Sequence, residues 1–232
     1  MILITFALPA ESSELIKRLR EKRTPDDRDN IVYGKINAVP VGIFHTGVGA
    51  KICGPRITHL LSNLRPNFLI SAGFAGSIRD ALRPGDLVLA ENFSDENLLA
   101  RARQALSGQN PRVVKIFTST KIVDSREDGN EIVQMHGADA VDMETATISV
   151  ACASHQVPML SLRVISDSLN EPLPAPPRVL FDIERQRTNY VKLALYVLRH
   201  PGAIPSLLRF SQRIARAREA LTEASITIVQ SL

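Results

Sequence analysis

The chain has 232 residues, 44% of them hydrophobic and 22% charged, with a formal net charge of +4 at pH 7. This composition predicts one folded α/β domain spanning residues 1–232, because no proline-, glycine- or serine-rich linker divides the chain. The small positive charge is weak grounds for nucleic-acid binding, so we expect no nucleic-acid partner. No apolar run reaches the roughly eighteen residues that would predict a membrane-spanning helix.

Cysteine usage and the first residues predict a cytoplasmic protein. Cys53 and Cys152 lie in apolar, helix-like surroundings without a disulfide framework or metal-ligand spacing, so we expect both to be reduced core residues. The opening stretch MILITFALPAES has no basic region and no cleavage site, and it is therefore not predicted to be a signal peptide.

The chain predicts strands and helices in alternation. The first half predicts a strand at 1–8, a helix at 12–23, paired strands at 31–35 and 39–45, a helix at 50–64 broken near Gly54 and Pro55, and strands at 67–72 and 85–90. The second half predicts partial helix within 92–112, a strand at 113–118, a helix at 128–136, a helix capped by Asp142 and ended by Pro158, a strand at 159–165, a loop at 169–177, and helices at 182–199 and 204–224. Such alternation is typical of an α/β fold with a largely parallel sheet.

One segment, residues 141–167, has an acid at each end of a predicted helix and strand. Glu144 lies at the start of the helix, and Asp167 lies just past the end of the strand. A helix of about twelve residues returns roughly 18 Å, and a strand of about seven residues advances roughly 23 Å. Both acids are therefore expected at the carboxyl edge of the sheet, where open α/β sheets bind ligands.

Polar or glycine-rich segments follow four of the predicted strands. They are the loop with Glu11, residues 46–49, residues 73–76 and residues 166–167. Glycines at such ends permit positive φ and let a ligand approach the backbone closely. Each segment alone is compatible with a tight turn, Glu11 and Asp167 are compatible with capping roles, and Glu144 is compatible with simply favouring a helix N-terminus. Together they favour a binding site.

Motifs for cofactor and metal chemistry are missing. The third glycine of a dinucleotide-binding fingerprint would fall at Ile52, and no GxxxxGK[ST] loop is present. The five histidines show no metal-ligand spacing, and no GxSxG elbow indicates a serine nucleophile. We therefore expect neither a metal nor a cofactor. The remaining possibility is a carboxylate site, which is the equipment that cleavage of a glycosidic bond requires.

Three segments carry a resemblance to a known family. Thr46-Gly47-Val48-Gly49, residues 71–91 and residues 141–167 resemble the nucleoside phosphorylase/nucleosidase superfamily, and especially its methylthioadenosine/S-adenosylhomocysteine nucleosidase branch. The similarity covers roughly residues 1–168. It implies a three-layer α/β/α fold with a central mixed, largely parallel sheet, a homo-oligomer such as a dimer, and metal-free cleavage of the N-glycosidic bond of a nucleoside.

The resemblance also implies roles for the acids. Asp167 would donate a proton to purine N7, and it would need a raised pKa to hold that proton near neutrality. Glu144 would bind the ribose hydroxyls while Met143 packs on the sugar. Glu11 matches the water-activating glutamate of the family.

Other positions complete the implied binding site. Ile122 and Val123 fall where backbone atoms and apolar side chains hold the base. Arg163 is expected to orient the neighbouring carboxylates. The remaining expected substrate-binding residues are Gly49, Phe74 and Ser166.

The reaction type stays open at this stage. Phosphorolytic relatives hold phosphate with arginines, but residues 8–10 and 69–71 contain none, which favours hydrolysis. Recruitment of Arg79 or Arg163 would still allow a phosphate-dependent purine nucleoside phosphorylase. A protein that binds nucleosides without catalysis is an alternative of a different functional class. The presence of all three acids argues against it.

The 5′ substituent of the nucleoside also stays open. Phe74 replaces a serine of the methylthioadenosine nucleosidases, and this residue, the proline-rich loop and the tail resemble the hopanoid-associated branch, thought to release adenine from adenosylhopane. The tail, from about residue 196 to residue 232, is basic, with interleaved apolar residues. It predicts an amphipathic helix that either contacts an anionic membrane or a lipid substrate, or packs on the protein's own core or dimer mate.

Overall fold

The computed structural model describes residues 1–24, 30–171, 173–180 and 190–232. Its strands are β1 (Ile2–Phe6), β2 (Arg20–Arg23), β3 (Val32–Ile36), β4 (Val39–His45), β5 (Phe68–Ser77), β6 (Leu87–Ala90), β7 (Arg112–Val114), β8 (Ile116–Thr118), β9 (Ala140–Asp142) and β10 (Met159–Ser168). Its α-helices are α1 (Pro9–Arg18), α2 (Ala50–Asn63), α3 (Glu96–Ala105), α4 (Arg126–His136), α5 (Thr145–Ser154), α6 (Pro177–Leu180), α7 (Tyr190–Arg199) and α8 (Ile204–Ser231).

The strands form one mixed sheet. Its order is β2-β3-β4-β1-β5-β10-β6-β7, while β9 pairs with β5 and β8 pairs with β9. The central strands β4, β1, β5 and β10 are parallel to one another, whereas β3 is antiparallel to β4 and β6 is antiparallel to β10. Helices α1, α3 and α8 pack on one face and α2 and α5 on the other. The predicted three-layer α/β/α fold is therefore confirmed.

The nearly apolar run at the start of the chain forms β1, which is buried on both faces. Ile2, Ile4 and Phe6 point into the core cluster that contains α1, α3 and α8. Leu3 points to the opposite face and joins the cluster that contains α2 and α5. Because helices cover both faces, alternate side chains are buried in either direction, as is usual for central parallel strands.

The first predicted helix, residues 12–23, is wrong at both ends. Helix α1 begins at Pro9, which occupies the first helical turn where its missing N–H costs nothing. The helix ends at Arg18, and residues Arg20–Arg23 instead form an exposed strand antiparallel to β3. The charged sequence of β2 suits a sheet edge, where charges discourage pairing with other chains.

The predicted break near Gly54 and Pro55 is also wrong, because α2 continues through both residues. A Cβ atom on Gly54 would lie 3.4 Å from the Cγ2 atom of Thr147 on α5. The glycine therefore allows α2 and α5 to approach each other closely.

Strands β5 and β10 run further than predicted. The strand predicted at 67–72 continues to Ser77, so residues 73–76 are strand and not a glycine turn. The strand predicted at 159–165 continues to Ser168 and includes Asp167, which pairs with Gly76 just after a bulge. Long central strands are favoured here because each is paired on both sides.

Two smaller corrections bear on the site. The strand predicted at 113–118 is split into β7, which pairs with β6, and β8, which pairs with β9. Asp142 is the last residue of β9 and not a helix N-cap, a position that Glu144 occupies. The backbone N–H of Thr145 nevertheless donates to the Asp142 carboxylate at 3.2 Å.

The C-terminal helix is longer than predicted. Residues 182–189 of the helix expected at 182–199 lie outside the described residues, and α7 covers Tyr190–Arg199. The helix predicted at 204–224 runs to Ser231, and its second half buries Leu221, Ile228 and Val229 against the sheet. This half of the tail packs on the protein's own core. No described helix is both long and apolar enough to cross a membrane.

Replacing Leu221 by alanine tests whether α8 is a core element. The fully buried side chain should leave a cavity, and the free energy of unfolding should fall by about 2–5 kcal/mol. Leu208→Ala on the same helix is the control, because Leu208 is 60% exposed and its loss should change stability by at most about 0.5 kcal/mol. Urea denaturation measures both, and equal losses would contradict the placement of the helix.

Candidate active site

A cavity of about 220 Å³ opens at the carboxyl edge of the parallel strands. The predicted site residues that line it are Glu11, Phe74, Ile122, Val123, Met143, Glu144, Ser166 and Asp167. The other lining residues are Ala7, Leu8, Val48, Ala75, Gly76, Ser119, Lys121, Val141, Asp142 and Leu173. The structure therefore brings together side chains from distant parts of the chain, as the parallel topology predicts.

Two predicted site residues lie behind the cavity wall. Gly49 lies at the N-cap of α2 with φ 83°, and its N–H donates to Glu144 Oε1 at 2.7 Å. Arg163 is buried and does not line the cavity. Gly49 is thus connected to the site through its hydrogen bond to Glu144, and Arg163 through its ion pair with Asp142.

Glu11 lies in the first turn of α1. Its Oε2 accepts from the Leu8 N–H at 2.9 Å, and its Oε1 accepts from the Phe74 N–H at 3.3 Å. Burial raises the pKa of Glu11, while these N–H groups and the charge of Arg163 partly oppose that shift. The glutamate therefore caps its helix and also presents its carboxyl group to the cavity.

Glu144 lies at the start of α5 and makes no capping bond to its own helix. Its side chain turns instead toward Gly49 across the cavity floor. Burial and the neighbouring charge of Asp142 raise the pKa of Glu144 to about 8. The hydrogen bond from the Gly49 N–H partly opposes this rise. Glu144 thus holds the N-cap position of α5 but makes its side-chain hydrogen bond to another element of the fold.

Asp167 lies near the end of β10, where a bulge follows Ile165. The Ser166 hydroxyl donates to Asp167 Oδ1 at 2.5 Å. Burial raises the pKa of Asp167, while the Ser166 hydroxyl and the positive charge of Arg213 on α8 oppose the shift. A carboxyl group in this environment is more easily kept protonated than one in water.

Two glycines of β5 make room for the carboxyl groups. A Cβ atom on Gly73 would lie 3.3 Å from Glu11 Oε1, and one on Gly76 would lie 3.2 Å from Asp167 Oδ2. Neither glycine has positive φ. Their role is therefore close approach of side chains to a strand, and not the turn that the sequence predicts.

A buried ion pair supports the floor of the site. Arg163 Nη2 lies 3.0 Å from Asp142 Oδ2, and both side chains are almost completely buried. Thr118 donates to the other oxygen of Asp142 at 2.8 Å. The remaining guanidinium bonds go to Ser71, Thr145 and the Leu162 carbonyl. This arrangement satisfies the hydrogen-bonding capacity that a buried ion pair requires.

Several residues of the cavity are not among the predicted site residues. The sequence predicts Asp142 to be a helix cap because it precedes a helix, and it is therefore not predicted as a site residue. Its position two residues before Glu144 is the signal that could have identified it. Ser119 and Lys121 precede Ile122 on the same loop, and no motif marks them. Leu173 comes from the proline-rich segment.

The prediction for Arg163 requires one clarification. We expect it to orient the neighbouring carboxylates, and the carboxylate that it bonds is that of Asp142. It acts on Glu11 and Glu144 by charge, lowering the pKa of each. No hydrogen bond joins it to Asp167 within the described structure.

Substituting Glu144 tests the effect of burial on its protonation. The pKa is raised in the folded state, so the neutral form stabilises the fold below about pH 4.5, and this contribution is lost as the pH rises through about 8. Across that window the stability of the native protein should fall relative to Glu144→Gln by up to about 1.4 kcal/mol per pH unit. Denaturation at several pH values measures the difference. Glu131→Gln, at an exposed position of α4, is the control, and its stability should depend on pH as that of the native protein does. If the stability of Glu144→Gln also followed the native pH dependence, burial would not raise the pKa of Glu144.

Breaking the ion pair tests whether it supports the site. Arg163→Met leaves the Asp142 carboxylate buried without its cation, and the free energy of unfolding should fall by about 3–5 kcal/mol. Arg79→Met is the matched control, because Arg79 Nε lies 3.5 Å from Asp139 in a much more exposed pair. That loss should be at most about 1 kcal/mol. Similar losses for both variants, measured by urea denaturation, would count against the supporting role.

Comparison with known proteins places the chain in a family. A family model described as the phosphorylase superfamily matches residues 1–96 and 91–200. The chain is 24% identical over 188 residues to a 5′-methylthioadenosine/S-adenosylhomocysteine nucleosidase of Haemophilus influenzae (strain PittEE), which covers 68% of this chain and 82% of the relative.

Solved structures show the same fold. A 5′-methylthioadenosine/S-adenosylhomocysteine nucleosidase from S. pneumoniae, bound to a transition-state inhibitor, superposes with a TM-score of 0.76 at 19% identity, covering 99% of this chain and 98% of that one. A futalosine hydrolase mutant of Helicobacter pylori superposes with a TM-score of 0.74 at 17% identity, covering 100% and 99%. Because the family model spans most of its length, this chain belongs to the phosphorylase superfamily.

Proposed function

We propose that this protein hydrolyses the N-glycosidic bond of an adenine nucleoside with a 5′ substituent and releases the free base. The observation that carries the proposal is the convergence on one cavity of Glu11 and Glu144, which are buried, and Asp167, which is half-buried. Glycosidic cleavage needs an acid for the leaving group and a carboxylate for the water or the cationic sugar. The nucleosidases among its relatives support the same reaction.

Asp167 is the proposed general acid. It donates its proton to N7 of the purine, and the bond between the base and C1′ of the ribose then breaks with its electron pair leaving on the neutral base. Its desolvation supports this role, because the raised pKa keeps more of the carboxyl group protonated than it would be in water. The Ser166 hydroxyl holds the carboxyl group in place.

Glu11 and Glu144 are proposed to act on the sugar. Departure of the base leaves positive charge on the ribose, and Glu11 accepts a proton from the water that attacks C1′. Glu144 accepts hydrogen bonds from the ribose hydroxyls with the oxygen that Gly49 leaves unoccupied. Such bonds strengthen as the oxocarbenium charge develops, so they favour the transition state over the substrate.

Apolar residues of the cavity complete the proposed binding site. Met143 packs on the sugar, and Ile122 and Val123 hold the base. Phe74 and Leu8 form an apolar wall that suits the apolar part of a 5′ group. This wall is compatible with methylthioadenosine and also with adenosylhopane, the proposed substrate of the hopanoid-type alternative.

Hydrolysis is favoured over phosphorolysis by the surroundings of the arginines. Arg163 gives its guanidinium hydrogen bonds to protein groups and leaves none for phosphate. Arg79 pairs with Asp139 and does not line the cavity. Lys121 is the one cation among the described lining residues, and it pairs with Asp128 at 3.0 Å. A phosphate-dependent purine nucleoside phosphorylase is therefore the second candidate.

A cytoplasmic homodimer is the proposed setting of the reaction, following the family resemblance. A peripheral contact of the tail with lipid is also proposed. It is supported by the exposed apolar side chains of α7 and of the first half of α8, namely Leu195, Leu198, Ile204 and Leu208. A non-catalytic nucleoside-binding module is disfavoured, because binding alone gives no reason to bring three carboxyl groups together in a partly desolvated cavity at a cost in stability.

Incubation with nucleosides tests the reaction. Methylthioadenosine, inosine and a lipid-substituted adenosine are each incubated with the protein, with and without phosphate, and free base and sugar products are measured. We expect adenine and free sugar in both conditions. Sugar phosphate formed only with phosphate would establish the phosphorylase instead, and no release of base from any nucleoside would refute the enzymatic proposal.

The role of Asp167 is tested by Asp167→Asn, which cannot donate the proton. Turnover should fall about 10²–10⁴-fold, while binding of the nucleoside is largely retained. The control is Asp95→Asn, because asparagine also caps helices and Asp95 caps α3 outside the cavity. Steady-state kinetics and calorimetry measure the two effects. Undiminished turnover in Asp167→Asn would remove this residue from the acid role.

A further inference from the structure

A second, larger cavity of about 560 Å³ adjoins the catalytic cavity. Leu173 lines both cavities, so the segment that carries it forms a common wall. The other lining residues are Glu171, Pro174, Ser206, Arg209, Gln212, Arg213 and Arg216. The proposed reaction assigns no role to this second cavity.

Three arginines of α8 face the second cavity. Arg209, Arg213 and Arg216 follow one another at i, i+4 and i+7, a spacing that places them on one face of a helix. At about 1.5 Å of rise per residue the outer two lie roughly 10 Å apart along the axis, which is within reach of two long side chains that converge on one small ion.

Their charges are only partly compensated. Glu171 is the one carboxylate among the described lining residues, and it pairs with Arg213 at 2.5 Å. Arg209 and Arg216 are exposed and make no ion pair within the described part of the chain. The buried Nε of Arg213 also has no acceptor among the described residues. The cavity therefore presents two guanidinium groups without a carboxylate partner and one buried N–H donor without an acceptor among the described residues.

We propose that this cavity is a binding site for an oxyanion, a phosphate or a carboxylate, held mainly by Arg209 and Arg216. Guanidinium groups bind both anions through paired N–H donors, which makes arginine the usual residue for such sites. The anion is either free in solution or attached to the nucleoside. Only the second source rests on the proposed function.

The position of the cavity links it to catalysis. The charge of Arg213 already acts on Asp167 and lowers its pKa. An anion beside Arg213 therefore lies within electrostatic reach of the proposed acid. Leu173 between the two cavities is also the side chain past which an extended substrate would pass.

A titration with inorganic phosphate tests the free source. The midpoint of thermal denaturation is measured against phosphate at constant ionic strength, set with sodium chloride. We expect a saturable rise for the native protein, and half-saturation at least tenfold higher for the double variant Arg209→Gln and Arg216→Gln. Arg103→Gln, at an exposed position of α3 outside the cavity, is the matched control and should respond as the native protein does. Both single variants are measured as well, since each replaces only one exposed side chain.

Calorimetry tests whether the anion is part of the nucleoside. S-Adenosylhomocysteine, whose 5′ group ends in a carboxylate, is titrated into Asp167→Asn, and methylthioadenosine, which lacks the carboxylate, serves as the reference. With the two arginine substitutions added, affinity for the first should fall at least tenfold while affinity for the second stays unchanged.

The outcomes separate the two proposals. Weaker binding of phosphate or of S-adenosylhomocysteine in the arginine variants supports the oxyanion site, and the ligand that is affected identifies the source of the anion. If the native protein and all arginine variants gave the same result in both experiments, the oxyanion site would be refuted. Absence of nucleoside turnover refutes the proposed reaction but leaves the phosphate titration interpretable.

Discussion

The buried ion pair between Arg163 and Asp142 is the interaction on which the site depends. It joins the central strand β10 to the short strand β9, and further guanidinium bonds reach β5 and α5. Glu144 follows Asp142 by two residues and Asp167 follows Arg163 by four, so the pair positions the segments that carry both acids. Two buried charges must be fully hydrogen-bonded to offset their desolvation, which explains the hydroxyl groups that surround them.

Burial gives the three carboxyl groups of the cavity different properties from those of exposed acids. Desolvation raises the pKa of each, but their hydrogen-bond partners differ. Glu11 accepts from two backbone N–H groups, whereas Asp167 accepts one side-chain hydrogen bond, from the adjacent Ser166 hydroxyl, and each of these bonds favours the charged form. Distinct surroundings of this kind are how one site separates an acid from a base.

Helix α8 combines structural and chemical roles along its length. Its second half is buried through Leu221, Ile228 and Val229 and completes one layer of the fold. Its first half presents arginines to a cavity next to the catalytic one. Because the buried half fixes the axis of the helix, the position of the arginines relative to Asp167 follows from packing.

The sequence by itself determined the alternation of strands and helices, and the placement of Glu11, Glu144 and Asp167 at the carboxyl edge of the sheet. These follow from hydrophobic periodicity and parallel topology, which are local or nearly local properties. Tertiary structure decided how far β5 and β10 extend, since pairing on both sides carries a strand through Gly73 and Gly76. It also decided that Asp142 pairs with Arg163, and that α8 belongs partly to the core. Partners distant in the chain determine these features, and no periodicity of a single segment records them.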